Sequence, residues 1–276
     1  MFNALERVRS ILYLVSTFIP ASLVQEKMRR PVAGLVSGQI LRGSLLFSDV
    51  SGFTPLSERL AILGPEGAER VTAIMNQYFA TMLEIISWSG GNLIKFAGDA
   101  MLVHFPEQEN GEHVRWAVRA GQRMLRAMKN FAQIETPKGA VTLQMKIGLA
   151  TGEFLAASVG SEKRMEYFVT GPAVTQTMGA EGKTTGGGQL VVNDQTALQL
   201  GDALVQKKLP DGFYLLKPGS EDEIDDFEIK AEIRRGRGAV PWNASPHAIL
   251  AQIEVALRQI QALKPYLAPE LIERVV

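Results

Sequence analysis

Two carboxylates carry most of the chemical information in this chain. Asp49 sits in LLFSDVSGFT (45–54) and Asp99 in GGNLIKFAGDAMLVHF (90–105), and each ends or interrupts an apolar run of strand type. A glycine stands close to each, Gly52 after the first and Gly98 before the second, and glycine lets a backbone approach a ligand. Two carboxylates at neighbouring strand ends form a hard-oxygen site for magnesium. Mg²⁺ keeps several waters and takes only one or two protein carboxylates, so such a site usually serves a nucleotide phosphate. Read singly, Asp49 is a helix cap at a strand end and Asp99 a turn residue in Gly-Asp. Read together, they are metal ligands.

The pattern around them supplies the elements that would hold these groups. LLFSDV (45–50) reads as a short apolar strand. Thr54 followed by Pro55 predicts a helix start, a hydroxyl cap and then proline at the first helical position. The helical region that follows is broken at Gly64-Pro65. Its second part carries Val71, Ile74, Met75, Tyr78, Phe79, Met82 and Ile86 at helical spacing. Gly90-Gly91 turns the chain, and NLIKFA with AMLVHF forms a hairpin around Gly98-Asp99. A further amphipathic helix covers 111–134. TLQMKIGLATGEFLAASVG (142–160) reads as two strands turning at Thr151-Gly152, and RMEYFVTG as another strand. PAVTQTMGAEG starts a helix, QLVVN (189–193) is a strand followed by a short helix, and LVQKKLPDGFYLLK (204–217) closes like a hairpin. The order β-α-β-β-α-β-β defines an α+β protein with a ferredoxin-like βαββαβ core and helical N- and C-terminal extensions. That fold hosts many functions and does not settle this one.

The chain divides into a helical lead-in and linker (1–43), a body (44–217), and a linker with a C-terminal helix (218–276). The last part contains an acidic run, EDEIDDFE, and a basic one, RRGRG, which read as a solvated linker, and then a helix over 245–263. One internal echo stands out: FIPASLVQEKM (18–28) resembles YLAPELIERVV (266–276) position by position. The first copy leads into the body, so the second is expected to lead into another.

Composition excludes several classes. With 29 basic and 29 acidic residues the formal charge is zero, which argues against nucleic acid as the main partner. No cysteine is present, so disulfides and thiolate metal sites are excluded, in keeping with a reducing, cytoplasmic setting. His104, His113 and His247 lack metal-ligand spacing, and His104 reads as structural. The apolar run ILYLVSTFIP (11–20) is shorter than the ~20 residues a membrane span needs, and no small-residue cleavage pattern follows it. GAEGKT (179–184) ends like a phosphate loop, but Thr177 stands where the first glycine would be.

FSDVSGFT, IKFAGDAML and KIGLATGEFLAASVG, in this order, resemble the class III nucleotidyl cyclases over about residues 40–217. The flavour is that of the metal-binding first domain of soluble, bicarbonate-responsive adenylyl cyclases and of bacterial tandem-domain relatives. The resemblance implies a site shared between two such domains. It assigns two Mg²⁺ or Mn²⁺ ions to Asp49, Asp99 and the Val50 carbonyl, and the triphosphate of ATP or GTP to the backbone of Ser51, Gly52, Phe53 and Thr54. The implied chemistry is attack of the ribose 3′-oxygen on the α-phosphorus, with pyrophosphate leaving. The choice between ATP and GTP stays open, because the partner domain would read the base.

The other half of such a site holds a base-reading lysine, which maps to Lys95, and a second base-reading Asp or Thr, a position held here by Phe168. It also holds a transition-state Asn and Arg. Those two positions are Thr175 and Gly179 within YFVTGPAVTQTMG (167–179), and neither residue can replace them. The arginine associated with bicarbonate maps to Met178. The expectation is therefore a metal-binding half. A homodimer would be nearly silent, and catalysis would need a complementary cyclase domain downstream. Two rival readings are a regulatory or dimerisation module that binds nucleotide without turnover, and a structural interaction domain.

Overall fold

A computed structural model of the chain describes residues 2–219 and 245–275. The first strand, β1 (Ser37–Ser51), is longer than its apolar run and begins inside the stretch read as a linker. Its early residues are mostly exposed, so backbone pairing rather than side-chain burial sustains them. From Gly43 inward, β1 pairs antiparallel with β3 (Ala100–Pro106), in a register that matches Leu45 with His104 and Ser48 with Met101. β2 (Asn92–Ala97) pairs antiparallel with the other side of β3, with a register shift between Leu93 and Lys95.

The stretch read as two strands turning at Thr151-Gly152 is one strand, β4 (Gln144–Ser161). Gly152 stays close to extended, at φ 159°. The Thr-Gly pair lies inside the strand, in ordinary contact with Ala173, not at a reversal. β5 (Arg164–Thr170) pairs with the outer part of β4. Further on lie β6 (Gln189–Asn193), β7 (Val205–Lys208) and β8 (Phe213–Leu216), and the sheet order is β2-β3-β1-β4-β6-β8-β7. Within it the first four strands stand as β4-β1-β3-β2, the permutation of a ferredoxin-like core. β6 runs parallel to β4 and antiparallel to β8, and the β7–β8 ladder shifts register between Val205 and Lys207.

The described chain forms two compact units. The larger holds residues 41–154 and, among the described residues, 170–219. Its helices are α3 (Phe53–Leu60), α4 (Pro65–Trp88), α5 (Glu112–Ala127), α6 (Pro172–Gly182) and α7 (Asp194–Leu200). The break at Gly64-Pro65 falls where the sequence places it. The start of α3 does not: Gly52 in a left-handed conformation, not Thr54, precedes the helix. A left-handed junction needs a residue without Cβ, so glycine overrides the hydroxyl cap. The core lies between sheet and helices. Tyr78, Met82 and Ile86 of α4 and Ala117, Met124 and their neighbours on α5 pack on Leu46, Val103, Ile147 and Leu190. Ser44, Thr151 and Thr196 join β1, β4 and α7 through buried hydroxyls, and Asn193 caps α7 by accepting from the Thr196 N–H at 3.1 Å.

His104 is structural, as the sequence implies. It is buried on β3, edge-on to Phe154, and its Nε2–H donates to the Arg42 carbonyl at 3.1 Å. Burial pushes its pKa down from 6.5 to about 4. The unfolded chain therefore takes up a proton that the native imidazole refuses. The associated stability is complete above pH 6.5 and drains away as pH falls towards 4, by up to about 3 kcal/mol. Urea unfolding at pH 7 and pH 4.5 checks this: His104→Gln, which keeps a donor but cannot titrate, is expected to show a shallower decline.

The smaller unit comprises residues 1–40, 155–169 and the C-terminal helices. The lead-in is two helices, α1 (Phe2–Thr17) and α2 (Ala21–Arg29), separated by Phe18-Ile19-Pro20. α8 (Pro246–Leu263), capped by Ser245, and α9 (Pro269–Val275) complete the unit. Val15, Ile19, Leu23, Leu263 and Leu267 form its buried centre. The acidic and basic runs read as a linker lie outside the described residues.

Candidate active site

The β1–β3 register ends at Ser48 and Met101. Asp49 is the next residue on β1, and Asp99 is two residues before Met101, in the β2–β3 turn. Both acids are thus at the same end of adjacent strands, and both are partly exposed. Gly98, at φ 67°, turns the hairpin and leaves open space beside the acid. The buried side chain of Val50 anchors the strand end.

Tyr78 links the two acids. It is fully buried on α4, edge-on to Phe53 at 5.6 Å and to Phe131 at 5.8 Å, and its hydroxyl has no hydrogen-bond partner. Burial raises its pKa, and the charges of Asp99 and Asp49 raise it further. Both carboxylates therefore act on one buried, unpartnered polar atom. A second acid lies near Asp49: burial raises the Glu181 pKa, Asp49 adds to the rise and Lys146 opposes it. Among the described residues no three acidic or histidine side chains gather closely enough to hold an ion alone. A pair of carboxylates with open space fits magnesium, whose other ligands are water and phosphate oxygens.

Ser51, Gly52, Phe53 and Thr54 form the turn beyond Asp49. Gly52 has φ 109°, and a Cβ there would come within 2.7 Å of the Thr142 carbonyl. The first bond of α3 is Leu56 N–H to Gly52 O at 3.0 Å. The N–H groups of Phe53 and Thr54 are thus at a helix N-terminus without intrahelical acceptors, a setting suited to phosphate. The Phe53 ring is buried against Tyr78, so it fixes the turn and offers only its backbone.

The other expected residues are placed separately. Lys95 is exposed on β2, beside Phe96, whose ring meets Phe79 at 5.1 Å. Phe168 is on β5, in the smaller unit, and is 37 % exposed. On α6, the Thr175 hydroxyl turns back to the Gly171 carbonyl at 3.3 Å, and Met178 is exposed. Gly179 packs on Phe213: a Cβ at 179 would be 3.1 Å from the ring. Sequence reasoning missed Tyr78 as a site residue, because it looks like any other core position of α4. It also missed Lys146 and Glu181, which only the packing of β4 against α6 brings near Asp49.

A family model of the adenylate and guanylate cyclase catalytic domain matches residues 37–224. The chain belongs to that family, and the match starts at the first residue of β1. Adenylate cyclase type 10 of Oryctolagus cuniculus is 33% identical over 135 residues, covering 48% of this chain and 8% of that protein. The terminal-differentiation-specific adenylate cyclase of Dictyostelium discoideum is 30% identical over 173 residues, 62% of this chain and 8% of that one. The chain thus spans a small part of these relatives. Among solved structures, the guanylyl cyclase Cya2 is 32% identical with a TM-score of 0.53, covering 69% of this chain and 96% of that one. The adenylyl cyclase CyaB from P. aeruginosa is 25% identical with a TM-score of 0.55, covering 67% and 98%. These relatives share the α+β cyclase fold expected from the sequence. No described helix is long and apolar enough to cross a membrane.

Proposed function

We propose that this chain is the metal-binding half of a nucleotidyl cyclase, acting in the cytoplasm on ATP or GTP when a complementary cyclase domain completes the site. In this reading residues 44–217, preceded by the outer part of β1, are the catalytic body, and residues 1–43 and 218–276 flank it. The observation that carries it is the placement of Asp49 and Asp99 at the same end of the adjacent strands β1 and β3.

Magnesium or manganese, two ions in this reading, would be held by Asp49, Asp99 and the Val50 carbonyl, and when bound would neutralise phosphate charge and favour ionisation of the ribose 3′-hydroxyl. The chain's own groups position the substrate. The N–H groups of the Ser51–Thr54 turn take phosphate oxygens, with Gly52 allowing the backbone to come close. Lys146 adds positive charge on that side. Tyr78 stays protonated, since burial and then the charges of both acids raise its pKa. The base and the charge developing at the α-phosphorus are left to the partner, because Thr175 and Gly179 present no amide or guanidinium. Lys95 would face a second, degenerate pocket.

Cyclic nucleotide production with ATP and with GTP, plus Mg²⁺ or Mn²⁺, tests this in residues 1–276 and in a polypeptide continuing past Val276. Activity in the longer protein is expected to exceed that of the short chain by ~10²–10³, the cost of one missing preorganised charge. Equal, robust activity in the short chain would sink the half-site reading. The loss at Thr175 and Gly179 also favours a second reading, a regulatory module that binds nucleotide. Silence at both lengths with nucleotide bound would select it.

A further inference from the structure

The pairing of β1 with β4 sets a lysine against the first carboxylate. The Ser44 and Thr151 hydroxyls share a 2.8 Å hydrogen bond, and the Ser51 hydroxyl donates to the Gln144 carbonyl at 3.5 Å. Each contact joins residues equally far from Asp49 on β1 and from Lys146 on β4, five positions away in the first case and two in the second. These strands therefore run in opposite directions, with Lys146 across from Asp49. Side chains directly opposite on an antiparallel pair share a face, with Cβ atoms about 4.5–5.5 Å apart. The neighbours agree with this placement. Leu46 and Val50 of β1 and Met145, Ile147 and Leu149 of β4 belong to the core with α4 and α5, which leaves Asp49 and Lys146 on the other face.

A further acid reaches that face from α6. Gly148 follows Lys146 by two residues and shares its side of β4. A Cβ on Gly148 would come within 2.3 Å of both the Glu181 nitrogen and the Thr177 carbonyl oxygen, and within 2.8 Å of the Glu181 Cβ. The helix thus rests on bare strand, with Glu181 at the contact. Its last turn is fixed there, since the Thr184 N–H and hydroxyl both donate to the Glu181 carbonyl, at 2.9 and 2.7 Å. Lys183, just beyond the helix, is committed to Asp211 at 2.5 Å. Burial raises the Glu181 pKa, Asp49 adds to the rise and Lys146 opposes it. Among the described residues Lys146 has no ion pair of 4.0 Å or less. Its charge is set against two carboxylates, Asp49 across the strand pair and Glu181 on the helix, and neither holds it closely.

We propose that Glu181 is a specificity-determining residue that makes nucleotide binding depend on the metal. This rests on the half-site reading and deepens it. In the empty site three carboxylates, Asp49, Asp99 and Glu181, outweigh Lys146. Asp49 and Asp99 lose their repulsion towards phosphate once they ligate magnesium. Glu181 keeps its charge and draws Lys146 back from any triphosphate that arrives without an ion. Selectivity then comes from a repulsive group as well as from attractive ones. A fully ionised triphosphate feels that charge about twice as strongly as its magnesium complex, which carries two fewer negative charges.

Calorimetric titration of ATP at pH 8, with Mg²⁺ and with EDTA, tests this in the parent, Glu181→Gln, Glu181→Asp and Glu181→Gln with Lys146→Met. In EDTA, Glu181→Gln is expected to bind ATP about tenfold tighter than the parent, and the magnesium complex to gain about threefold, the smaller share set by its lower charge. Glu181→Asp, which keeps the charge, is expected to follow the parent, and the metal-free gain is expected to vanish when Lys146 is also replaced. Unimproved or unmeasurable metal-free binding in Glu181→Gln, with the parent still requiring magnesium and Asp49, would overturn the role of Glu181 and leave the half-site reading intact. Equal gains with and without magnesium, or a gain that survives Lys146→Met, would overturn it too. A parent that binds ATP equally well in EDTA would remove both.

Discussion

Replacing Asp49 or Asp99 with alanine is expected to abolish magnesium-dependent nucleotide binding while the protein stays folded. The two acids are partly exposed, at a strand end and in a turn, so truncation leaves no core cavity. Each truncation also removes a negative charge acting on the buried Tyr78 hydroxyl, which leaves the native state no worse off. Binding has no such reserve. A site that offers magnesium two carboxylates loses half its charge when either goes. Removing partners that merely support metal ligands costs 10–100-fold in affinity, so loss of a ligand should exceed ~100-fold. Calorimetric titration of ATP with and without Mg²⁺ measures it. Unchanged affinity in both variants would remove the metal assignment.

The second large effect is a gain. A chain carrying Thr175→Asn and Gly179→Arg would regain both transition-state groups, and a homodimer of it would lack only the base reader at Phe168. The obstacle is steric: a Cβ at position 179 would come 3.1 Å from the Phe213 ring, in the small cluster with Ala180 and Val191. Gly179→Arg alone is therefore expected to cost about 1–3 kcal/mol through overpacking. Adding Phe213→Leu makes room. In that triple variant, cyclic nucleotide production is expected to rise ~10²–10³-fold above the parent, the worth of one preorganised charge on the transition state. Melting temperature and activity are read together. A stable triple variant with parental activity would show that the missing Asn and Arg are not what silences the short chain.

Much of this site was legible because its groups are local. Asp49 and Asp99 each stand beside a glycine in a short motif, and hairpin geometry carries both to one end of the sheet. The turn at Gly64-Pro65 and the β2–β3 hairpin were legible for the same reason. What escaped depends on packing between distant segments. Tyr78 is indistinguishable by periodicity from Met82 or Ile86, and its role comes from the acids near it. Glu181 and Lys146 are brought together only when α6 lies on β4. Thr151-Gly152 looked like a turn because glycine is common at reversals, yet pairing with neighbouring strands holds this one extended. Thr54 looked like a cap for a similar reason, since the left-handed path at Gly52 is set by the strand it follows and by the Thr142 carbonyl beside it.

The two ends of the sheet order, β2 and β7, share a feature with consequences for assembly. Each has a register shift against its neighbour, at Leu93/Lys95 and at Val205/Lys207, and each carries exposed lysines, Lys95 on one and Lys207 and Lys208 on the other. A kinked, charged border is a poor template for another strand. Edge-to-edge pairing of two molecules through β2 or β7 is therefore disfavoured. Association is channelled instead to helices and side-chain surfaces, where the fit depends on shape and can distinguish an unlike partner from a copy of self.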